Sequence, residues 1–160
     1  MDGRLGVFVA LLTPVSRGAL TLRDADPASV PRLDHGFLSD QNHHDLEALV
    51  DGVELGRAFA STEPFAAMLD RELEPGPDAP ARHDLRDAVR AGMIHYWHPV
   101  GTCAMGPVTD ADGHVLGVEG LVVADASVMP VTPRATTNLP TIVVAERIAQ
   151  ALVDAWTPQK

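Results

Sequence analysis

The side chains in this sequence with chemistry to offer are a few histidines, one cysteine and a cluster of hydroxyl and amide groups. His95 and His98 flank Tyr96-Trp97, Pro99 follows at once, Cys103 comes soon after, and Thr136-Thr137-Asn138 stand just ahead of Pro140. An imidazole can accept a substrate proton near neutral pH, which makes His98 a candidate general base. The 7 histidines also raise the question of a metal. A structural zinc needs four ligands and a catalytic one three. Adjacent His43-His44 point different ways, and Pro99 ends any regular face that His95 and His98 would share. No metal site is expected, and these imidazoles read as solvated or hydrogen-bonded groups. A nucleophilic Cys103 would need a basic partner to hold it as thiolate. Its neighbours are Thr102 and Ala104, so it reads as a small buried hydrophobe. The sequence holds no Gly-x-Ser-x-Gly elbow, no Gly-x-Gly-x-x-Gly and no phosphate loop, hence no nucleotide-phosphate cradle of its own.

These groups need elements to position them. Gly6 to Leu12 is a continuous apolar run that reads as a strand, and Ala19 to Arg23 alternates with period two. Asp24-Ala25-Asp26-Pro27 is turn chemistry, and Val30 to Phe37 reads as a further strand placed at an edge by Pro31. A helix capped by Asn42 or Asp45 follows, with Leu46, Leu49, Val50 and Val53 at helical spacing. A second helical piece includes Phe65, Met68 and Leu69, and a third spans His83 to Ile94, after a proline-rich loop from Glu74 to Pro80. Leu121 to Ala124 reads as a buried strand ending at Asp125. Thr136-Thr137-Asn138 then cap a last helix with Ile142, Ala145, Ala149, Leu152 and Trp156 along one face.

Composition bounds the function. A chain of 160 residues with 46% hydrophobic and 21% charged residues can bury a core. The 12 basic against 22 acidic side chains leave a net charge of −10, which repels phosphate backbones and anionic lipid. Nucleic acid and membrane are therefore not expected partners. One cysteine excludes an internal disulfide. The start Met1-Asp2-Gly3-Arg4 with Leu5 to Leu12 has the outline of a signal peptide. Its lone Arg and the segment Pro14-Val15-Ser16-Arg17 make a poor one. A cytoplasmic location is expected.

The run Tyr96-Trp97-His98-Pro99-Val100-Gly101-Thr102-Cys103-Ala104-Met105-Gly106 closely resembles the active-site segment of the glucose-methanol-choline (GMC) oxidoreductases. Gly117 to Pro130, the ending Thr137-Asn138-Leu139-Pro140-Thr141-Ile142, and upstream Pro14-x-Ser16-Arg17-Gly18 with Asp26-Pro27 are similar to the same family in the same order. The resemblance implies an α+β fold, with an antiparallel sheet, flanking helices, and a C-terminal strand and helix that complete an FAD domain. It divides the chain into a substrate-binding domain over 1–97 and a catalytic loop with the returning strand and helix over 98–157, the N-terminal FAD-binding half being absent. The implied activity is oxidation of an alcohol CH–OH group with hydride transfer to the flavin N5 of FAD. His98 is implied as the base. Thr136, where the family usually carries Asn or His, occupies the second catalytic position, with Asn138 beside it. Trp97, His98, Asp125, Ala126, Thr137, Asn138 and Thr141 are implied to approach the cofactor. Asp125 reads equally as a cap of the turn after its strand, and Trp97 as core packing. The implied partners are a small alcohol and an N-terminal FAD-binding polypeptide, or self-association. The competing reading is a non-catalytic module that docks on a companion chain.

Overall fold

Helix α1, His44–Ala60, begins where the backbone turns through a left-handed His43, at φ 54°. The carboxylate of Asp40 accepts the His44 N–H and so caps the first turn. Asp45 and Glu47 in that turn and Arg57 in the last one suit the helix dipole. Asp45, one of the two expected caps, has another use. It is 3% exposed, and its carboxylate accepts the N–H groups of Val15 and Ser16, both at 2.8 Å. Burial alone would raise its pKa, but hydrogen bonding from Ser16 and Val15 and the charge of Arg17 hold it below the ordinary carboxylate value.

The computed structural model describes residues 3–156. Met1-Asp2 of the signal-like start and Thr157, where the expected second domain ends, lie outside the described residues. The elements in order are β1 (Ala19–Thr21), β2 (Arg32–Asp34), α1, α2 (Arg82–Gly92) and α3 (Asn138–Trp156), with 3-10 turns at Ala66–Met68 and Ala126–Val128. The antiparallel sheet and helices of the expected α+β class are present. The chain forms two compact units: one runs up to Gly18 and includes His35–Tyr96, and the other joins Ala19–Asp34 to the residues from Trp97 onward.

In the first unit, α1 packs on α2 around Leu46, Val50, Ala79 and Leu85. The Asp84 carboxylate accepts the Ala81 N–H at 3.0 Å and starts α2. An ion-pair ladder crosses between the helices: Arg82 donates to Glu47, Asp51 and Glu54, and Arg86 donates twice to Glu47. Arg86 first and Arg82 second pull the Glu47 pKa down to about 2. The apolar run from Gly6 to Leu12, expected as a strand, has no regular secondary structure. It docks on α1 instead, at Gly52, where an added Cβ would come within 2.2 Å of Val9 Cγ1. A glycine in mid-helix costs stability on its own, and this contact explains its place.

In the second unit, β1 and β2 pair antiparallel with Leu20 opposite Leu33. Asx turns at Asp24 and Asp26 shape the segment between the strands. The segment 121–124 carries one bridge, His114↔Val122, rather than a laddered strand. A tight turn brings Gly113 against it: the Val123 N–H donates to the Gly113 carbonyl at 2.9 Å. Gly113 has φ +83°, and a Cβ there would lie 2.5 Å from the Val123 carbonyl oxygen and 3.0 Å from Ile148. Ile148, 2% exposed, fills that space from α3. The buried side of α3 is therefore Ile148 with half-buried Val144, Ala145 and Ala151, whereas Ile142, Ala149, Leu152 and Trp156 of the expected face are exposed. The helix is apolar around most of its girth, so periodicity alone offers more than one stripe.

Candidate active site

His98 leaves a sharp backbone turn. Trp97 has φ 53°, in the left-handed region that a large aromatic residue seldom adopts. Pro99 biases His98 itself toward extended backbone. Constraint from both neighbours narrows the backbone conformations from which the imidazole projects. Trp97 is 71% exposed, so it is not packed in a core of the described residues. Beyond the turn, the Cys103 N–H donates to the Ser127 carbonyl and the Met105 N–H to the Val128 carbonyl, both at 2.9 Å. The segment after His98 is thereby tied to the 3-10 turn at Ala126–Val128. Val128 anchors that turn by complete burial.

Asp125 opens the turn. Its carboxylate accepts the Ser127 N–H at 2.8 Å and the Ser127 hydroxyl, so it caps locally. Ala126 is half-buried beside it. Farther on, the Thr137 carbonyl accepts the Thr141 N–H at 2.9 Å and the Thr141 hydroxyl at 2.6 Å, which closes the first turn of α3. Thr137 is 7% exposed, and its hydroxyl oxygen lies 2.7 Å from His98 Nδ1.

That hydrogen bond joins the Trp-His-Pro turn to the start of α3. Thr136 and Asn138 are exposed on either side of buried Thr137, and Thr141 is half-buried one turn along. The residues brought into one neighbourhood are thus His98, Thr137 and Thr141, with Thr136 and Asn138 as flanking polar groups. The first turn of α3 adds N–H groups without intrahelical partners and the positive end of the helix dipole. Sequence reasoning placed His98 and Thr137 in one site but not as a bonded pair. The signal available for it was a hydroxyl residue immediately ahead of a helix.

Among the described residues, no group of three or more His, Cys, Asp or Glu side chains is gathered to hold a metal ion. No helix among them is long and apolar enough to cross a membrane. A cleft of about 390 Å³ in the first unit, lined by Ser16, Arg17, Asp40, Gln41 and His44 among others, includes none of the predicted site residues.

Residues 14–145 match the family model for the C-terminal domain of GMC oxidoreductases. The chain is 36% identical over 146 residues to an alcohol dehydrogenase (acceptor) of Pseudomonas putida, covering 89% of this chain and 26% of that protein. It is 37% identical over 141 residues to an oxygen-dependent choline dehydrogenase of Chromohalobacter salexigens, covering 86% and 25%. A fungal aryl-alcohol oxidase superposes with a TM-score of 0.81 at 32% identity, over 91% of this chain and 25% of that one. The chain spans about a quarter of the length of these relatives. Match and superposition agree, and the chain belongs to the GMC oxidoreductase family.

Proposed function

We propose that this chain is the substrate-side and base-bearing part of an FAD-dependent oxidoreductase acting on the CH–OH group of an alcohol. The observation that carries the reading is the 2.7 Å contact between His98 Nδ1 and Thr137 Oγ1, which sets a basic side chain at the start of α3. The donor set suits a flavin ring: exposed Trp97 offers an aromatic face, and the α3 N-terminus offers N–H groups and positive dipole charge to an electron-rich ring edge. Trp97, His98, Asp125, Ala126, Thr137, Asn138 and Thr141 are the residues that would hold it. When bound, the flavin supplies the acceptor for the hydride that leaves the carbinol carbon.

The chain's own residues handle the proton. His98 removes it from the substrate hydroxyl, which builds negative charge on that oxygen. Thr136 and Asn138, exposed beside the base, are the side chains that donate hydrogen bonds to it. Residues 1–97 act as the substrate-binding part and 98–157 as the catalytic loop and the completion of the FAD domain, in the cytoplasm. The diphosphate half of the cofactor is held by an N-terminal FAD-binding polypeptide. Leu139, Ile142 and Val143, each at least half exposed on α3, favour docking on such a partner.

The test is to combine the chain with a GMC FAD-binding polypeptide and follow flavin absorbance as an alcohol is added. The complex is expected to be yellow and to bleach. His98→Ala should slow bleaching at least ~10²-fold, the low end for acid–base catalysis. A variant that bleaches at the normal rate would falsify the base role. A mixture that never takes up flavin would favour a docking module without catalysis.

A further inference from the structure

We infer that Thr137 is a positioning residue which selects the working tautomer of His98. This rests on the reading of His98 as the base. A neutral imidazole carries one proton, on Nδ1 or on Nε2, and the partner of one nitrogen decides which. A threonine hydroxyl has one proton and two lone pairs, so it can accept the Nδ1–H and still donate its own. In that arrangement the basic lone pair falls on Nε2. When the substrate proton moves from its oxygen to Nε2, Nδ1 keeps its proton and its acceptor, so neither ring nor hydroxyl has to turn. The reverse arrangement, with Thr137 donating to Nδ1, would put the proton on Nε2 and leave no base.

Three features make Thr137 suited to this. It is 7% exposed, so water competes poorly for the Nδ1 proton. Its carbonyl is held by both the N–H and the hydroxyl of Thr141, which fixes its place at the helix entrance. On the other side, the left-handed Trp97 and Pro99 restrict the backbone from which His98 projects. The hydroxyl and the ring therefore meet at 2.7 Å from two constrained backbones.

Long-range ¹⁵N–¹H correlation spectra of the full chain, at a mildly alkaline pH, read the tautomer without any cofactor. We expect His98 with a protonated Nδ1 and a pyridine-like Nε2, the form an isolated histidine disfavours. Thr137→Val, which keeps the shape and removes the hydroxyl, should shift the population toward Nε2–H, and Thr137→Ser should restore it. An Nε2–H tautomer in the natural chain, or a tautomer unchanged in Thr137→Val, overturns the inference. In the flavin-loaded complex, Thr137→Val should lower the limiting rate of flavin reduction about tenfold, with KM nearly unchanged. A tautomer that responds as expected while His98→Ala still bleaches normally supports the Thr137 contact and rejects the base reading beneath it.

Discussion

The two units stabilise themselves in different ways. The first closes on its own: α1 and α2 bury Leu46, Val50, Ala79 and Leu85, and an arginine-carboxylate ladder covers the seam between them. The second relies on short-range turns, Asx caps and a thin apolar contact in which Val128, Met129 and Ile148 are the buried hydrophobics. Its helix α3 keeps Leu139, Val143 and Trp156 exposed. His98 and its hydroxyl partner Thr137 belong to this second unit. Among the described residues, the unit that carries the candidate site thus buries fewer hydrophobic side chains than the unit built on the α1–α2 seam. The candidate site sits on a turn and a helix entrance, and hydrogen bonds tie those segments together.

The contrast can be broken by removing core from the self-sufficient unit. Leu85 is 1% exposed, and Leu85→Ala should destabilise the first unit by about 2–5 kcal/mol, read from urea unfolding of the helical circular dichroism signal. Retention of full stability would show that the α1–α2 seam is not the main support.

Acid sharpens the comparison next. Glu47 has its folded pKa depressed from 4.5 to about 2 by Arg86 and Arg82, so its contribution is fully present above the unfolded value and is lost as pH falls through the folded one. Asp45 is depressed in the same sense. The first unit should therefore weaken between about pH 4.5 and 2, and Glu47→Gln should flatten that dependence. A slope identical in Glu47→Gln would mean that the ladder does not report on folding.

The smallest effect is expected on α3. Ile142 is 50% exposed, and Ile142→Ser should change stability by no more than about 0.5 kcal/mol while lowering the binding of a hydrophobic dye. A large loss of stability would place Ile142 in the packing of the second unit after all.

Local patterns explain what was legible beforehand. The helices α1, α2 and α3 follow from apolar spacing and from caps or breakers near their ends, and their bounds fall within a few residues of expectation. The capping group of α1 did not: Asn42 or Asp45 was expected, whereas Asp40 accepts the His44 N–H and Asp45 is taken up by the N–H groups of Val15 and Ser16, a path that local sequence does not show. The run from Gly6 to Leu12 failed as a strand for a similar reason. Apolar continuity proves neither pairing nor burial: Val7 and Phe8 are exposed, and the contact of Val9 with Gly52 was not visible in local sequence.

The order and types of residues alone determined the family resemblance, the helical segments and His98 as the candidate base. Such information lies within short stretches, where side-chain chemistry and the period of the backbone act directly. Tertiary structure alone decided that Thr137 reaches Nδ1 of His98, that Ile148 rather than Ile142 turns inward, and that Asp45 holds the chain at Val15 and Ser16. Each of these joins residues far apart in sequence, and a hydrogen bond or a packed contact acts over a few ångströms in space, whatever the distance along the chain.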